Sequence, residues 1–150
     1  MDQAAGAGKL TLAIFVVSFI VHFVWESLQS VAYDCGRFTN NQVVGFHVIA
    51  SLGDSGLMLV LYAAGWLLHR NPRWIESPRL ADVALIGLLG AALAVALEWR
   101  ALNSGRWSYT GWMPLLPGTG VGLLPVLQLI LLPFPIFWTA ARMVRLPRHD

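Results

Sequence analysis

Four stretches of the sequence are almost entirely apolar, and each is about as long as the roughly 20 residues that a helix needs to cross a bilayer. They lie at about residues 10–32, 43–68, 81–99 and 121–141. Only 12% of the residues are charged, whereas a soluble domain has about 25%. Because the connecting loops are short, neighbouring helices must run antiparallel. The sequence therefore predicts an all-α, integral membrane four-helix bundle that forms a single transmembrane domain over residues 1–150.

The first stretch also has the position of a secretory signal peptide. It lacks a small-residue cleavage site after a short apolar core, and it continues through Glu26. We interpret it as a membrane span of the mature protein. The single cysteine, Cys35, excludes an internal disulfide and a metal site built from several cysteines.

The distribution of basic residues predicts the orientation in the membrane. If both termini share one side, that side carries seven of the ten basic residues, namely Lys9, Arg70, Arg73, Arg79, Arg142, Arg145 and Arg148. The other side carries three, namely Arg37, Arg100 and Arg106. Basic residues accumulate in cytoplasmic loops. We therefore expect a multi-pass protein of the cell (inner) membrane, of bacterial type, with both termini cytoplasmic. Nothing in this charge pattern indicates nucleic-acid binding.

Polar residues recur at helical spacing inside the apolar stretches. One face of the first helix carries Ser18, His22, Glu26 and Gln29. The second helix carries His47, Ser51 and Asp54, and the fourth contains Gln128. The third ends near Glu98 after a stripe of small residues, which should let another helix approach closely. Pro133 and Pro135 should bend the fourth. Ionisable groups within a membrane span are costly and commonly functional. These residues are therefore the candidates for a site.

The depth of each residue follows from the rise of about 1.5 Å per helical residue. His22 and Asp54 fall near the middle of the membrane, and Glu26 lies about 6 Å further out. The six polar residues all fall between the middle and the outer surface; they are His22, Glu26, His47, Asp54, Glu98 and Gln128. The estimated depths predict His22–Asp54 and Glu26–His47 pairs. The aromatic loop at 100–120 lies above them, either as a surface cap or dipping into the membrane.

Each of these residues also has a purely structural interpretation. Glu98 and His47 fit helix ends in the head-group layer, and His22 fits a neutral core histidine bonded to a backbone carbonyl. Gln128 fits a hydrogen bond between helices. Glu26 and Asp54 are the hardest to explain in this way, because each needs a partner at membrane depth.

Two kinds of chemistry fit the candidates. A carboxylic acid in an apolar pocket can protonate a buried substrate, with a histidine as the base. The candidate catalytic residues are His22, Glu26, His47, Asp54 and Glu98, and those for binding a ligand or cofactor are Gln128, Trp107 and Tyr109. Imidazole and carboxylate groups also suit zinc or iron, with His22, Glu26, His47 and Asp54 as the ligands. Neither the Glu-x-x-His motif of di-iron bundles nor the metal-binding motif His-Glu-x-x-His is present. The sequence pattern does not identify a cofactor.

One segment resembles a known family. Glu98-Trp99, followed after six residues by Arg106-Trp107-Ser108-Tyr109, then MPLLPG and a proline-containing span, is similar to the membrane lycopene cyclases and related carotenoid-biosynthesis proteins. The match covers the last third of the chain. The acidic pair that those cyclases carry after the loop is absent. The resemblance implies a related bundle and an isoprenoid-like ligand. The first half resembles small bacterial multi-pass membrane proteins to which no activity is attached.

Three functions remain open from the sequence. The first is an enzyme that acts on a lipid or isoprenoid substrate by acid–base chemistry within the membrane. The second is a non-enzymatic bundle that binds a lipid or hydrophobic cofactor or serves as a subunit of a membrane complex. The third is a small proton-coupled or metal-ion carrier. The expected partners are membrane lipid and a hydrophobic small molecule, with a homo-oligomer or a larger membrane complex also compatible.

Overall fold

The computed structural model describes residues 2–36 and 38–144, with side chains from residue 6 onwards. Arg37, Arg145 and Arg148, which contribute to the predicted orientation, lie outside the described residues. Five helices follow in chain order: α1 Asp2–Gln29, α2 Asn40–His69, α3 Leu80–Asn103, α4 Leu123–Leu131 and α5 Pro133–Val144. Short 3₁₀ turns occupy Ser30–Ala32 and Trp74–Glu76.

Four helical segments are long and apolar enough to cross a membrane: Gly6–Ala32, Asn40–His69, Leu80–Asn103 and Leu123–Val144. The prediction of an all-helical, four-helix membrane bundle is therefore confirmed. α2 and α3 begin one to three residues before the predicted spans, where polar groups cap their first turns. Thr39 and Gln42 form a capping box at the start of α2, and the Asp82 carboxylate accepts the Arg79 N–H at the start of α3 (2.8 Å).

The last span is interrupted next to the prolines that predicted a bend. Leu132 separates α4 from α5, and Pro133 begins α5. Pro133 has no N–H, so it cannot donate the helical hydrogen bond that the Leu129 carbonyl would otherwise accept. This carbonyl faces Gly90 of α3, where an added Cβ would lie only 2.2 Å from the Leu129 oxygen. The small residues of α3 therefore allow the close approach that the sequence predicted.

The helices do not pack evenly around the bundle. α1 packs closely against α2 on one side and against α5 on the other, while α3 packs mainly against α4. α2 and α3 make few contacts with each other. Consecutive helices in an antiparallel bundle usually pack side by side. Here a gap separates α2 and α3 along part of their length.

The two ends of the bundle are covered by different loops. At one end, which we call the Trp74 end, residues 70–79 connect α2 to α3, and the buried Trp74 indole N–H donates to the Tyr62 carbonyl (3.1 Å). The Tyr62 hydroxyl donates in turn to the Pro72 carbonyl (2.8 Å). His69 of α2 bonds Asp82 of α3 at 2.8 Å. These bonds close the Trp74 end.

At the opposite end, which we call the Trp107 end, residues 104–122 fold back over the end of α1. The Thr110 N–H donates to the Ala32 carbonyl, and the Asp34 N–H donates to the Ser108 carbonyl, each at 3.0 Å. A single antiparallel bridge joins Tyr33 to Tyr109. Of the two predicted arrangements of this loop, the contacts correspond to a cap across the end of the bundle.

Candidate functional site

A cavity of about 750 Å³ occupies the gap between α2 and α3 in the half of the bundle nearest the Trp107 end. Most of its lining is apolar, with side chains such as Phe46, Leu57 and Ala94. At its edge, Ile49 of α2 is 67% exposed and Leu97 of α3 is 44% exposed. The cavity therefore opens sideways between the helices, towards the region where lipid surrounds a membrane protein.

Two carboxyl groups stand in the wall of this cavity around one amide. The side-chain nitrogen of Gln128 lies 2.7 Å from an Asp54 carboxylate oxygen and 3.2 Å from a Glu26 carboxylate oxygen. The same nitrogen lies 2.7 Å from His22 Nδ1. Gln128 of α4 thus links α1 to α2, and we call these four side chains the Gln128 cluster.

A donor-only group fixes the orientation of the amides in this cluster. The Trp25 indole N–H donates to Gln29 Oε1 (3.0 Å), so Gln29 must turn its NH₂ group the other way. That group donates to Glu26 Oε1 (2.8 Å) and to Gln128 Oε1 (3.2 Å). The Gln128 NH₂ group therefore points towards Asp54, Glu26 and His22.

The Gln128 NH₂ group has two hydrogens for these three acceptors, so at least one contact must be made in another way. His22 Nδ1 and Asp54 Oδ2 are 3.5 Å apart. No ion pair in the described part of the chain joins Glu26 or Asp54 to a lysine or arginine. The two carboxyl groups are thus held by an amide and a histidine rather than by a lysine or arginine.

His22 lies behind the cavity wall rather than in it. Its side chain is fully buried, and its Nδ1 faces Gln128 while its Nε2 has no hydrogen-bond partner among the described residues. Ser18, one turn earlier, has a hydroxyl that is likewise buried and without a partner in the described chain. His22 therefore reaches the cavity only through Gln128 and Asp54.

Glu98 belongs to a separate network at the Trp107 end. Its carboxylate accepts hydrogen bonds from Tyr33 (3.4 Å), from the Trp107 indole N–H (3.2 Å) and from the Tyr109 hydroxyl. The Tyr109 oxygen also accepts the Gly122 N–H (3.0 Å). Burial, reinforced by the Glu98 carboxylate, raises the pKa of both tyrosines, so they stay protonated and continue to donate.

The predicted residues thus divide into groups. His22, Glu26, Asp54 and Gln128 lie together, and the predicted His22–Asp54 pair is present. Glu98, Trp107 and Tyr109 form the second network, in which Glu98 and Trp107 line the cavity and Tyr109 stands behind Glu98.

The predicted Glu26–His47 pair is wrong. Glu26 bonds Gln29 and Gln128, while His47 lines the cavity and packs edge-on against Phe23, with ring centroids 6.3 Å apart. Depth along a helix can be estimated from residue number, but the rotation of the helix about its axis cannot. Within residues 2–36 and 38–144, no three His, Cys, Asp or Glu side chains are grouped so as to hold a metal ion.

Two participants were not among the predicted site residues. Gln29 belongs to the polar face that the sequence identified, and the spacing of Trp25 and Gln29 by one helical turn is the signal for their bond. Tyr33 follows the last turn of the first span, and its contact with Glu98 depends on how two loops meet. No local sequence pattern indicates that contact.

The fold and the site together define a class: a membrane-type four-helix bundle with a side-opening apolar cavity whose wall contains carboxyl groups. Comparison with protein-family models, with curated proteins and with solved structures gives no match.

Proposed function

We propose that this protein is an enzyme of the membrane that acts on a lipid or isoprenoid substrate by acid–base chemistry. The observation that carries the proposal is the Glu26–Asp54 carboxyl pair in the wall of an apolar cavity that opens sideways between α2 and α3. Carboxyl groups within membrane spans are energetically costly, and those that occur there commonly have a function.

The cavity has the size and opening that a long hydrophobic substrate requires. Its volume of about 750 Å³ falls within the range of about 300–1,000 Å³ that is typical of ligand pockets. A molecule dissolved in the bilayer could enter between Ile49 and Leu97 without passing through water. The resemblance of the last third of the chain to the membrane lycopene cyclases also favours an isoprenoid-like substrate.

The chemistry that fits the pair is proton transfer. When one carboxyl of the pair is protonated, it can donate that proton to an alkene carbon or an oxygen of the substrate, and it becomes a carboxylate. A base in the cavity then removes a proton from a neighbouring carbon, so the substrate is rearranged with no other reactant. The bases that line the cavity include the partner carboxylate and His47. His22, which does not reach the cavity, acts as a positioning residue through Gln128.

The Trp107 end of the bundle faces outwards, with both termini in the cytoplasm. The seven-to-three distribution of basic residues supports this orientation. The substrate would therefore be taken from the outer leaflet of a cell membrane.

The proposal predicts that solvent protons are transferred to membrane lipids. Membranes containing the protein would be incubated in D₂O, and the extracted lipids would be examined by mass spectrometry for deuterium bound to carbon. We expect one lipid class to gain deuterium, and we expect Asp54→Asn to abolish the gain because it removes a proton-carrying group. Glu76→Gln, whose carboxylate pairs with Arg73 at the Trp74 end (3.2 Å), should behave as the wild type.

A pair of glycines supplies a control for binding. An added Cβ at Gly53 or at Gly56 of α2 would meet no atom within 4 Å, but only Gly53 lines the cavity. Gly53→Phe should fill the cavity and abolish the deuterium gain, whereas Gly56→Phe should not. If no lipid gains deuterium, the enzymatic function is wrong. A lipid that is retained by the wild type but lost in Gly53→Phe would then favour a non-enzymatic binding protein.

A further inference from the structure

At the Trp107 end, the cavity has a mouth of different chemistry from its interior. Arg100 and Arg106 line it there, together with Asp34 and Cys35. Arg100 lies in the last turn of α3, and the Arg106 N–H donates to the carbonyl of Ala101 (3.0 Å), which holds Arg106 over the same turn. Both arginines thus line the cavity near the end of α3.

Neither arginine has an anionic partner in the described part of the chain. Both are exposed, and the ion pairs of the described residues involve neither. Glu98, the nearest acid in sequence to Arg100, is already held by Tyr33, Trp107 and Tyr109. Asp34 is the only acid at the rim among the described residues, and its carboxylate accepts the Gly36 N–H (3.4 Å). The described rim therefore carries an excess of one positive charge.

The basic mouth and the apolar interior together suit a ligand that has a negatively charged group and a hydrocarbon chain. Along α3 the lining runs from Ala94 to Arg100, which is roughly 9 Å at the usual rise per residue. A ligand with its charged group at the arginines would place its chain in the apolar interior, past Glu98 and towards the Gln128 cluster. Arginine forks bind phosphate through paired charge-assisted hydrogen bonds.

We infer that the substrate carries a phosphate group, which Arg100 and Arg106 bind at the mouth while the hydrocarbon chain fills the cavity. This inference rests on the proposed function and narrows its substrate class to phosphorylated lipids. The phosphate could belong to an isoprenoid phosphate or to a phospholipid head group, since both present the same chemistry to the arginines.

The single cysteine provides the assay. Cys35 is half-buried and lines the mouth, so a ligand in the mouth should slow its alkylation by N-ethylmaleimide. Purified full-length protein in detergent would be mixed with geranylgeranyl phosphate, geranylgeraniol, phosphatidic acid, diacylglycerol or inorganic phosphate. Native mass spectrometry would count bound lipid independently of the thiol reaction.

We expect at least one of the two phosphorylated lipids to protect Cys35 at a concentration about tenfold lower than its alcohol does, since hydrogen bonds to charged groups contribute that much or more. The comparison of the two pairs shows whether the phosphate belongs to an isoprenoid or to a glycerolipid. In a variant with both Arg100→Gln and Arg106→Gln, this preference should vanish while binding of the alcohols is unchanged. Arg142→Gln, an exposed arginine of α5 that does not line the cavity, is the matched control.

The outcomes separate this inference from the proposed function. Equal binding of phosphates and alcohols, or a preference that survives in the double variant, would overturn the phosphate assignment and leave the proposed function standing. If inorganic phosphate protected Cys35 at the same concentration as the phosphorylated lipids, the phosphate assignment would also be overturned, because the hydrocarbon chain of the ligand would then contribute nothing to binding. If no long-chain probe binds by either measurement, both the inference and the proposed function are wrong.

Discussion

Loops with aromatic residues cover both the Trp74 end and the Trp107 end of the bundle, but α2 and α3 are joined at the first and separated at the second. At each end, loop aromatic residues donate hydrogen bonds to groups of the helices. At the Trp74 end the acceptors are backbone carbonyls, and α2 and α3 are joined by the His69–Asp82 bond. At the Trp107 end the acceptor is the Glu98 side chain, and α2 and α3 stand apart around a cavity.

The two ends differ in the charge of the groups that their helices must bury. A backbone carbonyl is neutral, and once it is bonded the surrounding helices can close over it. The Gln128 cluster has two carboxyls and a histidine around one amide, and it lies beside the open gap between α2 and α3. The end with neutral acceptors is thus closed by packing, whereas the end with the carboxyl groups has a cavity beside them.

The largest effect is expected from Gln128→Leu. This change removes the shared partner of His22, Asp54, Glu26 and Gln29, and the fully buried His22 cannot turn to water. Each buried polar group left without a partner costs about 1–3 kcal/mol. We expect the free energy of unfolding in mixed micelles, measured by circular dichroism, to fall by about 3 kcal/mol or more.

Asp82→Ala provides the comparison at the Trp74 end. It removes the His69 bond and the bond at the start of α3, but the His69 side chain is 26% exposed and can be rehydrated. The loss should therefore be about 1 kcal/mol, the usual value for a helix cap. If Gln128→Leu destabilises no more than Asp82→Ala does, the Gln128 cluster does not hold the helices together as its geometry indicates.

Much of the fold could be predicted from the sequence, because each feature is encoded locally. Hydropathy located the spans, the small residues of α3 predicted a close approach by another helix, and the prolines of the last span marked where its helix is interrupted. The site was predicted only in part. The depths of His22 and Asp54 follow from residue number, so their pairing could be predicted. Gln128 forms the predicted hydrogen bond between helices. The position of His47 depends on helix rotation.

The contacts of the Trp107 end were beyond sequence reasoning for a different reason. The Tyr33–Glu98 contact requires the conformation of the loop at 104–122, which is set by hydrogen bonds between segments far apart in the chain, such as that from Thr110 to Ala32. Glycines with positive φ at 105, 118 and 120 indicate where this loop turns, but not which helix it reaches.

A smaller effect is expected from matched glycine substitutions in α2. An added Cβ at Gly65, near the Trp74 end, would lie 2.3 Å from the Trp74 ring, whereas one at Gly53 would meet no atom within 4 Å. Gly65→Ala should destabilise the protein by about 1–3 kcal/mol, the usual cost of overpacking. Gly53→Ala should be neutral or stabilising by up to about 1 kcal/mol, because alanine favours the helix. Equal stabilities of the two variants in the same unfolding assay would show that both ends pack alike.

The smallest effect is expected at high pH, from the two tyrosines of the Trp107 end. Burial and the nearby Glu98 carboxylate raise the pKa of Tyr33 and Tyr109 above the ordinary value of 10.0. Above that pH the unfolded chain loses these protons while the folded protein keeps them, so the free energy of unfolding should decrease as the pH rises beyond about 10.

The tyrosinate absorbance of a Tyr62→Phe variant reports the ionisation of Tyr33 and Tyr109 alone, since the chain has three tyrosines. Glu98→Gln removes the neighbouring charge, so both tyrosines should ionise at lower pH than in Tyr62→Phe alone. Ionisation at the ordinary pH in both proteins would mean that Glu98 is not held by the tyrosines in the folded protein.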